Sequence, residues 1–241
     1  MSRPHADEPF FDHAERALGL ALVLLALVAF AAALVPAGPL AIDQRWSEWM
    51  HDIRGPVLDD FAHVFDAAGH GLVRALSIAA IGLVLLVARR WLALAAFALT
   101  ESLAPLASSV IKVVVGRPRP PDALIHPSGA SFPSGHVTYA AATSVAVVLL
   151  TAPGRRRRGW WGAAALVTAG MAWSRTYLQV HWLSDVVAGA ALGVGMALLV
   201  FAGVLIVRKR TRSPRRDDAD TPLSGEASAG ARVAAAGMDR K

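Results

Sequence analysis

Six apolar stretches, each near the length needed to cross a lipid bilayer, constrain this chain more than any other feature. They run over about 17–36, 71–88, 91–112, 137–153, 160–174 and 183–207. A helix crosses ~30 Å of hydrocarbon with about 20 apolar residues. The fourth and fifth stretches are near the lower limit, yet arginines flank them. With 55% hydrophobic residues and a mean hydropathy of +0.46, the chain carries more apolar surface than one soluble core buries. The expected fold is all-α, a six-transmembrane-helix bundle, and the expected setting is an integral membrane one.

The net charge of +6 is distributed as a topology signal. Arg89 and Arg90 separate the second and third stretches, Arg155 to Arg158 separate the fourth and fifth, and Arg208, Lys209, Arg210, Arg212, Arg215 and Arg216 follow the sixth. In a six-span chain all three clusters fall on one side, which the positive-inside rule makes cytoplasmic. Both termini are then cytoplasmic, and the loops 37–70, 113–136 and 175–182 are extracytoplasmic; in a bacterial cell the membrane is the inner or plasma membrane. The run 155–158 reads as a topology determinant that also meets anionic lipid. Nucleic acid is excluded as a partner, because a basic stripe would have to lie across lipid. The chain has no cysteine, which excludes disulfides, thiol catalysis and cysteine zinc sites.

The expected organisation is a cytoplasmic segment over 1–16, a membrane domain over 17–207 and a basic, disordered tail over 208–241, where Ser, Pro, Ala, Gly and charge leave too little apolar surface to fold. The first stretch is longer than a usual signal core, and Ala37-Gly38-Pro39 is a poor cleavage context, so it is read as a retained helix. Between the first two spans, residues 41–66 place Trp46, Trp49, Met50, Phe61 and Phe65 among acidic residues at roughly helical spacing. That pattern predicts an interfacial helix.

Polar residues concentrate in the two outer loops after the third and fifth spans. Lys112 stands at a helix end and is followed by two Arg-Pro steps, Arg117-Pro118 and Arg119-Pro120. Proline holds the preceding residue extended, so each guanidinium is expected to project outward. Phe132-Pro133-Ser134-Gly135-His136 opens the fourth span, where free N–H groups and a glycine form a seat for phosphate. Ser174-Arg175 is followed by His181 and Asp185, four residues apart; on a helix these share a face, and the carboxylate orients the imidazole. Together the parts suit phosphoryl transfer: cations for the non-bridging oxygens, His181 as nucleophile, and His136 as general acid and then base. Electrostatic stabilisation by three cations supplies most of the rate and makes a metal unnecessary.

The three clusters resemble the signature of the type 2 phosphatidic acid phosphatase family: Lys, six residues, Arg-Pro; Pro-Ser-Gly-His; Ser-Arg, five residues, His, three residues, Asp. The chain matches at Lys112 to Arg119-Pro120, at Pro133 to His136, and at Ser174-Arg175 to His181 and Asp185. The likeness covers roughly residues 70–205. It implies a six-helix core and a metal-independent, cofactor-free phosphatase acting on a lipid phosphate or diphosphate. It also implies His181 as nucleophile, His136 as general acid, Asp185 as its orienting partner, and Lys112, Arg119, Ser134, Gly135 and Arg175 as phosphate ligands. Physical reasoning alone leaves Arg117 and Arg119 equivalent; the family spacing selects Arg119 and makes Arg117 a headgroup or structural contact, whose removal should be mild beside that of Arg119. By family analogy, a bacterial enzyme would take undecaprenyl diphosphate first, beside phosphatidic acid and phosphatidylglycerophosphate.

Blander readings apply to each residue. Lys112 alone would be an interface anchor, Ser134 a helix cap, and Asp185 a cap or a solvated carboxylate. Glu101 must face protein or water and reads as an interhelical hydrogen-bond partner. His5, His13, His51, His63, His70 and His126 show no pairing that points to a ligand. A lipid phosphotransferase would share the first half-reaction. A transporter would instead place ionisable groups near the midplane.

Overall fold

The computed structural model describes residues 14–35, 38–125, 127–151 and 155–212. His5, His13, His126 and the tail beyond 212 lie outside these residues. Residues up to Val207 form one compact unit. The described residues contain eight helices and no strand: α1 (Ala14–Leu34), α2 (Ala41–Asp52), α3 (Pro56–Ala68), α4 (Gly71–Val87), α5 (Trp91–Val115), α6 (Gly135–Leu150), α7 (Arg155–Tyr177) and α8 (Leu183–Arg212).

Each predicted apolar stretch lies largely within a helix. By length and composition, α1, α5 and residues 183–209 of α8 are each sufficient to cross a membrane. The helices α3 and α4 pass the same test together but are bent by 55° at their junction. Large apolar side chains on α1, α4 and α5, among them Leu27, Phe30, Val84 and Val113, remain exposed. Such a surface is tolerable only against lipid or another protein.

The segment expected to form one interfacial helix forms two. Gly55 is extended and Pro56 begins the next helix at the position where its missing N–H costs nothing. Both helices pack against α7: Met50 of α2 and Ala62 of α3 share a buried cluster with Tyr177, Leu178 and Val180. A second cluster joins Leu85, Phe97, Ala146 and Phe201 across α4, α5, α6 and α8. Glu101 accepts a 2.7 Å hydrogen bond from Thr143, tying α5 to α6.

Close backbone approach brings the site together. A Cβ on Gly193 would lie 2.4 Å from the Thr138 carbonyl oxygen, and one on Gly189 would lie 2.7 Å from that of Ser134. Two glycines one helical turn apart thus let α8 cross α6 at a distance other residues forbid. The outcome is that the N-termini of α6 and α8 meet, with Ser134 N–H donating to the Asp185 carbonyl at 3.0 Å.

Candidate active site

The site is built from helix ends. Lys112 is in the last turn of α5, which Gly116 terminates in the left-handed conformation (φ 62°). Its Nζ donates to the carbonyls of Ala130 and Ser131 at 2.7 and 3.3 Å. Arg119 follows in the loop and donates to the carbonyls of Ser128, Gly129, Ala130 and Val180. These bonds fix its plane so that Nη1 lies 3.4 Å from His181 Nε2. Burial and the charge of Arg175 both lower the proton affinity of Arg119, as expected where cations crowd without enough anions.

Ser134 is the N-cap of α6. Its Oγ is buried without a hydrogen-bond partner among the described residues, and a buried hydroxyl left that way costs about 1–3 kcal/mol. Gly135 begins the helix, and a Cβ there would be 3.9 Å from the Lys112 side chain. The free N–H groups, the orphaned hydroxyl and the lysine therefore converge, as an anion seat requires.

His181 is 5% exposed and sits in the turn before α8, not on the helix as its spacing to Asp185 suggested. Asp185 reaches back over this turn: its Oδ2 accepts from Trp182 N–H at 2.9 Å and lies 3.5 Å from His181 Nδ1. Asp185 is thus a helix cap and a histidine partner together. Burial pushes His181 down to about 4, opposed by Asp185. The imidazole is neutral at pH 7, with Nε2 directed at Arg119.

Arg117 does not project outward. It is fully buried and is no headgroup contact. Nη1 donates to Ser184 Oγ at 2.8 Å and Asp185 Oδ1 at 2.5 Å, while Nη2 donates to the Gly38 carbonyl at 3.1 Å and Asp43 Oδ2 at 2.7 Å. Asp43, also buried, accepts from Ser184 N–H and Oγ, each at 2.8 Å. Of the two roles expected for Arg117, headgroup contact or structural contact, this environment fits the structural one. Proline directs the backbone before it, but two buried carboxylates direct the side chain.

The remaining site residues meet a group that sequence reasoning missed. Arg175, 1% exposed, is ion-paired with Asp66 of α3. His136 Nε2 lies 3.0 Å from His70 Nδ1, and His70 Nδ1 lies 3.2 Å from Asp66 Oδ1. His70, read above as unpaired, is therefore part of the site. A Cβ on Gly69 would lie 2.2 Å from the His136 ring, so the α3–α4 junction is moulded to that imidazole. A signal was available, since Asp66 and His70 have the same four-residue spacing as His181 and Asp185. Ligand atoms of Asp66, His70 and His136 lie within 4.8 Å of one another, a grouping that suits a metal ion. The Arg175 charge on Asp66 opposes a cation there.

Fold and site together define an all-helical integral membrane protein with a cation-rich, histidine-bearing site at the ends of its helices. The PAP2 superfamily model matches residues 90–209, and the chain belongs to that superfamily. A decaprenylphosphoryl-5-phosphoribose phosphatase of Mycolicibacterium smegmatis is 41% identical over 106 residues, which is 42% of this chain and 53% of that protein. The chain thus spans about half the length of this curated relative. Among solved structures, a transmembrane PAP2-type phosphatidylglycerolphosphate phosphatase from Bacillus subtilis superposes with a TM-score of 0.67 at 25% identity, covering 81% of this chain and 98% of that one. Aquifex aeolicus LpxE shares the fold with a TM-score of 0.57 at 21% identity, over 67% of this chain and 96% of that one.

Proposed function

We propose that this protein is a membrane lipid phosphatase that removes phosphate from a lipid phosphate monoester or diphosphate through a phosphohistidine intermediate. The observation that carries the reading is His181: buried, neutral, with Nε2 facing Arg119 at 3.4 Å and Asp185 behind Nδ1. Phosphate would sit between Lys112, Arg119, Arg175 and the Ser134-Gly135 helix start. Its negative charge would relieve the crowding of cations and give the Ser134 hydroxyl a partner. His181 Nε2 then attacks phosphorus in line with the leaving oxygen, and His136 protonates that oxygen. As His181 becomes cationic, Asp185 tightens on Nδ1. In the second half-reaction His136 takes a proton from water, which attacks phosphorus and releases His181.

A lipid substrate is supported by the surroundings. An apolar groove of about 510 Å³ runs between α7 and α8, lined in part by Ala165, Ala169, Ala172, Leu183, Val186 and Ala190. Leu183, which lines the groove, stands two residues beyond His181, and in this reading the groove takes a prenyl or acyl chain. The name of the mycobacterial relative favours a phosphomonoester on a polyprenyl-linked headgroup, and that of the Bacillus neighbour favours a phosphorylated glycerolipid. In the six-span reading all site residues lie at the helix ends opposite Arg89, Arg90 and Arg155 to Arg158. The site is then extracytoplasmic and both termini are cytoplasmic.

The test is phosphate release by detergent-purified protein and its His181→Ala variant in excess EDTA. The substrates are a polyprenyl-phosphoryl sugar phosphate, undecaprenyl diphosphate, phosphatidic acid and phosphatidylglycerophosphate. Release by the wild type alone, with a phosphohistidine trapped by quenching at high pH, where its acid-labile P–N bond survives, is the expected outcome. Unchanged release by His181→Ala would refute the nucleophile. Release only when a second lipid is added would instead identify a phosphotransferase.

A further inference from the structure

Resting on the phosphatase reading, we propose that His70, oriented by Asp66, is the proton-relay partner of His136 and connects it to solvent at the α3–α4 junction. His70 is a positioning residue, because it acts on the leaving group only through His136.

The geometry is that of a wire. His70 Nδ1 faces three acceptors: Asp66 O and His136 Nε2 at 3.0 Å each and Asp66 Oδ1 at 3.2 Å. The two Asp66 oxygens favour the tautomer with the proton on Nδ1, which makes His70 the donor and His136 Nε2 the acceptor. The His70 side chain is 53% exposed, whereas that of His136 is only 18% exposed. The junction thus joins a half-open imidazole to an enclosed one. Gly69 cannot carry a side chain without displacing the His136 ring, so the contact is built into the backbone.

A relay also answers an electrostatic problem. The groups facing His136 are Arg175 from α7, Arg74 and His70 from the α4 side, His181 from the turn before α8, and Asp66 from α3. Arginines outnumber the carboxylate, so a lasting imidazolium at His136 is opposed. With a relay none is needed. In the first half-reaction the P–O bond breaks as the P–N bond to His181 forms, and the leaving oxygen takes the Nδ1 proton of His136. His136 Nε2 takes the Nδ1 proton of His70, and His70 Nε2 takes one from solvent. Both rings end neutral, each protonated on Nε2. In the second half-reaction water gives its proton to His136 Nδ1, Nε2 returns one to His70 Nδ1, and His70 releases one to solvent. The tautomers are restored and every proton is accounted for.

The experiment compares wild type, His70→Ala and His70→Gln in steady-state phosphate release from a panel of short-chain lipid phosphates, across pH 5–9, with and without added imidazole, and with and without EDTA. The relay predicts that both variants lose kcat by about 10- to 100-fold, at or below the ~100-fold lower limit for direct acid–base catalysis because His70 acts through His136, with KM within about twofold. Imidazole should restore His70→Ala saturably, because the vacated position is open to solvent, and the pH dependence of kcat should change in both variants. A kcat within twofold of wild type in His70→Ala overturns the relay while leaving the phosphatase reading intact. Full activity in His70→Gln with no imidazole rescue of His70→Ala also overturns it, since an amide supplies a hydrogen bond but passes no proton. Wild-type activity that EDTA abolishes and a divalent ion restores makes His70 a metal ligand and overturns it too. A wild type inactive on every lipid phosphate removes the phosphatase reading, and the relay with it.

Discussion

Replacing Arg117 with alanine tests how His181, the proposed nucleophile, is held. The guanidinium is fully buried and makes four hydrogen bonds, two of them to the buried carboxylates Asp43 and Asp185. Its removal leaves both carboxylates without their counter-charge, and breaking such a buried pair from one side costs about 3–5 kcal/mol. At roughly 2–4 °C per kcal/mol for a domain of this size, the thermal midpoint in detergent should fall by about 6–20 °C. Arg119→Ala should fall far less, because its partners are backbone carbonyls at a half-exposed loop, yet it should lose most of its phosphatase activity. The two arginines, equivalent on sequence grounds, thus separate into stability and catalysis. The combination Asp43→Asn with Arg117→Met should recover part of the lost midpoint by removing one stranded charge. If Arg117→Ala melts within 2 °C of wild type, the buried network is not what anchors Asp185.

Two further outcomes follow from the geometry. His181 is pushed down to about 4 against an unfolded value of ~6.5, so the unfolded chain binds more protons between these values and stability falls as pH is lowered through that window. In reversible unfolding a His181→Gln variant should show a flatter stability profile between pH 6.5 and 4, and an identical slope would contradict the burial argument. Gly193→Ala places a Cβ 2.4 Å from the Thr138 carbonyl. It should destabilise by about 1–3 kcal/mol through overpacking and lower activity by separating the N-termini of α6 and α8. A variant as stable as wild type would show that the crossing relaxes freely.

Much of the architecture was legible because lipid imposes a simple rule on sequence. Backbone groups in hydrocarbon must bond within their own helix, so runs of Leu, Val and Ala announce each helix locally. The three polar clusters were legible for a related reason: each lies within a few residues along the chain, at a helix end where free backbone groups and charge naturally meet. What was not legible depends on contacts between residues distant in sequence. The pairing of Arg117 with Asp43, 74 residues away, decided between a headgroup contact and a structural one in favour of the latter. The contact of His136 with His70, 66 residues away, drew an apparently idle histidine into the site. Both depend on α2 and α3 folding against α7, and the amphipathic pattern of 41–66 could not distinguish that packing from one long helix lying on the membrane. Sequence alone determined the long apolar helices, the membrane setting and the motif, because these follow from local composition and spacing. Only tertiary structure decided which arginine is buried and which histidines touch, because long side chains choose partners by the charges that packing brings within reach.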